Sequence, residues 1–65
     1  MHPLKIATQE IKAAGYVLKR KSGGHFIYFH PETKALLPLK QHDFNDNDLK
    51  YIRKEIRQNE MKRGR

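Results

Sequence analysis

From Ser22 to Phe29 the chain reads Ser-Gly-Gly-His-Phe-Ile-Tyr-Phe, a turn by composition that runs into the most β-prone stretch of the sequence. Adjacent glycines accept backbone conformations closed to other residues, while aromatic and β-branched side chains suit a pleated, half-buried surface. The segment therefore predicts a hairpin. Tyr16-Val17-Leu18 begins the strand before the turn, which runs towards Lys21.

The rest of the chain arranges itself around that hairpin. Pro3 suits a first helical turn, and Leu4, Ala7, Ile11 and Ala14 recur at helical spacing, which predicts a helix ended by Gly15. Pro31-Glu32-Thr33-Lys34 makes a second turn, and Ala35-Leu36-Leu37 reads as a third strand that Pro38 either ends or confines to an edge. Asn45 is the expected N-cap of a second helix, with Asp46 and Asp48 in its first turn and Leu49, Ile52 and Ile56 as its apolar stripe. The order is α-β-β-β-α, an α+β fold with two helices on one face of a three-stranded antiparallel sheet. One domain spans residues 1–65, with a basic tail from about residue 60 that lacks an apolar face and is expected to fray.

A chain of 65 residues has room for a thin core only; a domain of that size buries about 60% of its unfolded surface. The mean hydropathy is −0.92, yet hydrophobic residues still make up 37% and fall in periodic groups, which argues for a folded chain. Fourteen Lys and Arg against seven Asp and Glu give a net charge of +7. Such a density attracts polyanions, nucleic acid first among them. A membrane partner would call for an amphipathic helix with a strongly hydrophobic face and aromatic anchors, and no segment offers both. No cysteine is present, so disulfides and thiolate chemistry are excluded and a cytoplasmic setting is the simplest expectation.

Acid–base chemistry near neutrality requires a group that titrates there, and the chain offers His2, His25, His30 and His42. His25 follows Gly23-Gly24 and opens the strongest strand, so a rigid element holds its ring while small neighbours admit a bulky phosphodiester. Lys19, Arg20 and Lys21 on the preceding strand supply positive charge for a phosphorane-like transition state. The plainer reading of His25 is a polar residue at a strand start. His30, before Pro31, reads first as structural and second as a donor of a proton to a leaving oxygen; alternation sets it on the opposite face from His25, so cooperation between the two needs a bulge. His42 lies in the loop before the second helix, within reach of the same surface; His2 sits near a terminus. His25, His30 and His42 with Asp43 or Asp46 lack the usual short ligand spacings, so no metal and no cofactor is expected. Lys50, Arg53, Lys54 and Arg57 recur at i, i+3, i+4 and i+7, a cationic row that is either a solvated helix face or an RNA contact. Phe26, Tyr28 and Phe29 serve the core for the most part, because alternation turns about half of the strand inward.

Gly15-Tyr16, the run from Arg20 through Gly23-Gly24-His25 to His30-Pro31, the Leu37-Pro38-Leu39 strand and a basic last helix together resemble the HicA family. The resemblance extends from the first helix to Arg57. It implies a fold like the double-stranded-RNA-binding domain, a metal-independent mRNA-cleaving toxin activity with His25 as the catalytic histidine, and a HicB-type antitoxin as partner. The free toxin is then expected as a monomer and the captured one as part of a hetero-oligomer. This chain has Gly24 where the family usually has serine, and Leu39-Lys40 where it often has a histidine after the strand-three proline.

The first functional expectation is thus an endoribonuclease with His25 as general base and with Lys19, Arg20, Lys21, Gly23, Gly24, Lys50, Arg53, Lys54 and Arg57 as RNA-contacting positions. The alternative is a non-catalytic RNA-binding module. A third is a protein-interaction subunit whose basic face meets an acidic partner.

Overall fold

The computed structural model describes residues 2–63, with side chains described through residue 60. Its elements are α1 (Pro3–Ala13), β1 (Val17–Ser22), β2 (His25–Phe29), β3 (Leu36–Lys40) and α2 (Asp46–Arg63), the expected α-β-β-β-α order.

Local chemistry explains where each element stops. Pro3 stands at the start of α1, where a missing N–H costs no helical bond. At the other end Gly15 takes φ +98°. The Tyr16 N–H returns to the Ile11 carbonyl at 3.2 Å and the Gly15 N–H to Lys12 at 3.0 Å, a Schellman closure that hands the chain directly to β1. Ser22 pairs with His25 across the two-residue Gly23-Gly24 loop. Gly23, first in that loop, has φ +56°, the requirement of a type II′ hairpin turn. The Asn45 side-chain oxygen caps α2 by accepting the N–H groups of Asn47 (2.9 Å) and Asp48 (3.1 Å), while Asp48 reaches back to the Asn45 N–H at 3.0 Å. This reciprocal box satisfies donors that the first helical turn cannot use.

The sheet has the order β1-β2-β3, both pairings antiparallel. β1 carries a register shift between Leu18 and Arg20, so Lys19 is its extra residue. The third strand begins one residue later than the sequence predicts and runs through Pro38 to Lys40. Pro38 is tolerated because β3 is an edge strand, where a missing ladder donor matters least. The helix α2 continues to Arg63, through most of the stretch expected to fray; residues 64 and 65 of that tail lie outside the described residues.

One sheet face carries the core. Tyr28, Leu37 and Leu39 meet Ala7 and Ile11 of α1, Leu49 and Ile52 of α2, and Tyr16, all buried. Arg53 of α2 also clamps Glu10 of α1 bidentately, at 2.9 and 2.7 Å. The opposite face holds three cross-strand rows: Val17–Phe29–Leu36, Arg20–Ile27–Pro38 and Ser22–His25–Lys40. Among the described residues no helix is long and apolar enough to cross a membrane.

Candidate functional site

The extension of β3 decides the surroundings of His25. By alternation and register His25 belongs to the open face, directly across from Lys40 on one side and Ser22 on the other. Residues so paired stand about 4.5–5.5 Å apart at Cβ. Arg20 is the next open-face residue on β1, diagonal to His25. His25 itself is exposed, as an acid–base group acting on a polymer must be.

The loop after β3 folds back onto the same corner. The Gln41 N–H donates to the Gly24 carbonyl at 2.8 Å. His42 then lies against Gly24 so closely that a Cβ at position 24 would sit 3.3 Å from its Cδ2. A glycine at position 24 therefore gives the His42 ring room beside the chain segment that leads into His25. Beyond its chain neighbours, Gly23 has no atom of the described residues within 4 Å of where its Cβ would be, so the tip of the hairpin is open.

His30 is removed from any such role. Its ring is buried, its Nδ1 accepts the N–H groups of Glu32 (3.2 Å) and Thr33 (3.4 Å), and its Nε2 donates to the Ala14 carbonyl at 3.1 Å. Those bonds require the neutral tautomer with its proton on Nε2 and use both ring nitrogens for structure.

The basic residues do not converge on His25 as one group. Lys19 lies over the Phe29 ring at 5.4 Å, at the far end of β2, about 13 Å of strand away at the usual rise. Lys21 lies over Phe26 at 5.1 Å, one residue from the His25 pair. On α2, successive residues turn by about 100°, which sets Lys50, Lys54 and Arg57 roughly opposite the helix face that turns towards β3. Arg53 belongs to the same row, but its acid is Glu10 of α1, since the positions three and four residues away on α2 hold Leu49, Lys50, Ile56 and Arg57. The Arg53 hydrogen bond holds the Glu10 carboxyl below its ordinary value.

The α2 face turned towards β3 carries Asp48, Tyr51, Ile52 and Glu55, at i, i+3, i+4 and i+7. With His25, Lys40 and the loop residue Phe44 these residues line a cleft of about 230 Å³. Lys40 bridges to Asp48 across it at 3.3 Å. The Asp48 carboxyl is held below its ordinary value, first by the Asn45 N–H and then by Lys40. Sequence reasoning marked Lys40 only as a departure from the HicA pattern and did not single out Tyr51 or Glu55. The helical spacing was a visible signal for the α2 pair, but the pairing of Lys40 with His25 needed the true length of β3. Among the described residues no cluster of three or more His, Asp or Glu is placed to hold a metal ion.

No protein-family model matches the sequence, and neither a curated protein nor a solved structure matches the chain.

Proposed function

We propose that the chain is a metal-independent endoribonuclease, a toxin of the HicA type, with His25 as its general base. The observation that carries this reading is the corner itself: an exposed histidine at a rigid strand end, paired with Lys40 and flanked by the Gly23-Gly24 turn, against which His42 of the loop after β3 lies. His25 takes the proton of a ribose 2′-hydroxyl, the 2′-oxygen attacks the adjacent phosphorus in line, and the P–O5′ bond breaks. The products are a 2′,3′-cyclic phosphate and a 5′-hydroxyl, whose oxygen takes its proton from His42. Lys40 and Arg20 answer the charge that grows on the phosphoryl oxygens.

The HicA reading also brings a HicB-type antitoxin as partner. The row Val17–Phe29–Leu36 suits such a protein contact, with Val17 and Leu36 more than half exposed at 51% and 54%. Lys50, Lys54 and Arg57, on the far side of α2, favour the second reading, an RNA-binding module indifferent to His25.

The deciding experiment is incubation of a long single-stranded RNA in EDTA with wild type and with His25→Ala. Wild type is expected to leave cyclic phosphate ends, and the variant to be slower by about 10²–10⁴-fold while keeping its circular dichroism spectrum. Equal cleavage by both proteins removes His25 from the chemistry, and salt-sensitive binding without cleavage establishes the binding module instead.

A further inference from the structure

The cleft between β3 and α2 has walls that phosphate binding does not call for. We propose that it is a nucleobase subsite selective for guanine, seating the base of the nucleotide whose ribose and phosphate lie at His25. The position beside the reacting phosphate rests on the ribonuclease reading above; the selectivity for guanine does not.

Size is the first argument. At about 230 Å³ the cleft is smaller than the ~300–1,000 Å³ of sites for drug-sized ligands, so it suits one ring system rather than a whole nucleotide. Its walls suit a flat aromatic guest. Tyr51 is 58% exposed, the most exposed of the large apolar side chains among the described residues, yet it lines this cleft and leaves the core to Leu49 and Ile52. An exposed ring at the mouth of a cleft offers a face on which a base stacks. Phe44, Ile52, Leu37 and Pro38 supply the apolar remainder.

The carboxylates supply selectivity. Asp48 is occupied by Lys40 and by the Asn45 N–H. Glu55, half-buried two helical turns further on, forms no ion pair or hydrogen bond among the described residues, in a chain with twice as many cations as acids. A free carboxylate repels phosphate and accepts hydrogen bonds only. Guanine alone of the four bases presents two adjacent donors, N1–H and N2–H, which match two carboxylate oxygens as a guanidinium does. On adenine and cytosine the ring nitrogen beside the amine is an acceptor and faces the carboxylate unfavourably. The single N3–H of uracil stands between two carbonyl acceptors. His25 shares the rim of the cleft, so a base stacked on Tyr51 directs its sugar towards the histidine.

The test titrates isotope-labelled full-length protein with GMP, AMP, CMP and UMP, following the amides of Tyr51, Ile52 and Glu55 by NMR. GMP is expected to saturate those shifts at concentrations at least roughly tenfold below the other three, the scale of one bidentate discrimination. Glu55→Gln is expected to erase that preference with the stacking shifts retained, and Tyr51→Ala to weaken all four nucleotides. Equal binding of the four, or shifts confined to the Lys50 and Lys54 side of α2, overturns the proposal. Mapping wild-type cuts on a random-sequence RNA separates the two readings. Cuts beside guanine support both, and cuts without base preference overturn the subsite alone. GMP binding in the cleft without any RNA cleavage upholds the subsite and sinks the ribonuclease.

Discussion

His30 and Gly15 illustrate how one residue reads differently from each side. A Cβ at position 15 would lie 2.9 Å from the His30 Nε2, and the backbone there has φ +98°, so the glycine serves both the turn and the ring behind it. That ring packs edge-on against Tyr16, with centroids 5.0 Å apart, and Tyr16 in turn accepts a 2.7 Å hydrogen bond from Asn59 of α2. His30 thus joins the end of α1, the β2–β3 turn and, through Tyr16, the far part of α2. His30→Ala strands two backbone N–H groups and a carbonyl around a cavity, and it is expected to cost about 2–4 kcal/mol in urea denaturation. A loss under about 0.5 kcal/mol would contradict the structural role assigned to it. His25, exposed and without such bonds among the described residues, is expected to tolerate alanine without loss of fold, and sequence position alone already distinguished the two histidines by their opposite faces.

Two carboxylates join elements rather than residues. Glu10 and Arg53 tie α1 to α2, and Asp48 ties the first turn of α2 both to its own cap and to Lys40 at the end of β3. Both carboxyls are held below their ordinary values of 4.5 and 3.8, Glu10 chiefly by the Arg53 hydrogen bond and Asp48 chiefly by the Asn45 N–H. A lowered native pKa means that the unfolded chain binds the proton first as pH falls. The stabilisation is therefore fully present above the ordinary values and drains away as the pH drops below them. Both carboxylates are only partly buried, with 38% and 32% of their side chains exposed, so the effect is small and screened by salt. The denaturation midpoint of wild type is expected to exceed that of a Glu10→Gln, Asp48→Asn double variant at pH 6, and the gap to close between pH 5 and pH 3. A gap that widens on acidification would contradict the assignment. The reach of β3 belongs to this scale as well: Pro38 left two endings open in the sequence, and the edge position that admitted it carried the strand on to Lys40.

At the scale of the molecule, a charge of +7 on 65 residues makes any polyanion complex salt-sensitive. Lys50, Lys54 and Arg57 are exposed and form no ion pair among the described residues, on the side of α2 turned from the cleft. Replacing all three with alanine is expected to lower the slope of log K against log salt for single-stranded RNA by about two units, at ~0.7 for each phosphate that a cation no longer neutralises. Cleavage at saturating RNA is expected to be unchanged, because none of the three lines the cleft beside His25. An unaltered slope would return the row to an ordinary solvated face. A thin core magnifies every structural substitution, since a domain this small holds little stability in reserve.

The order of elements was legible in the sequence because its determinants are local: helical spacing from Leu4 to Ala14, a turn-prone Gly-Gly before five β-prone residues, a capping asparagine and a glycine able to take positive φ. His25 stood out on the same local grounds. Only the tertiary structure decided what surrounds it. Lys40 faces His25 through strand register, His42 rests on Gly24 through a returning loop, and Arg53 finds its acid 43 residues away on the other helix. Tyr51 and Glu55 become walls of a cleft only when α2 docks beside β3. Register and helix docking are settled by the burial of both apolar stripes at once, a condition on the whole chain that no local window expresses.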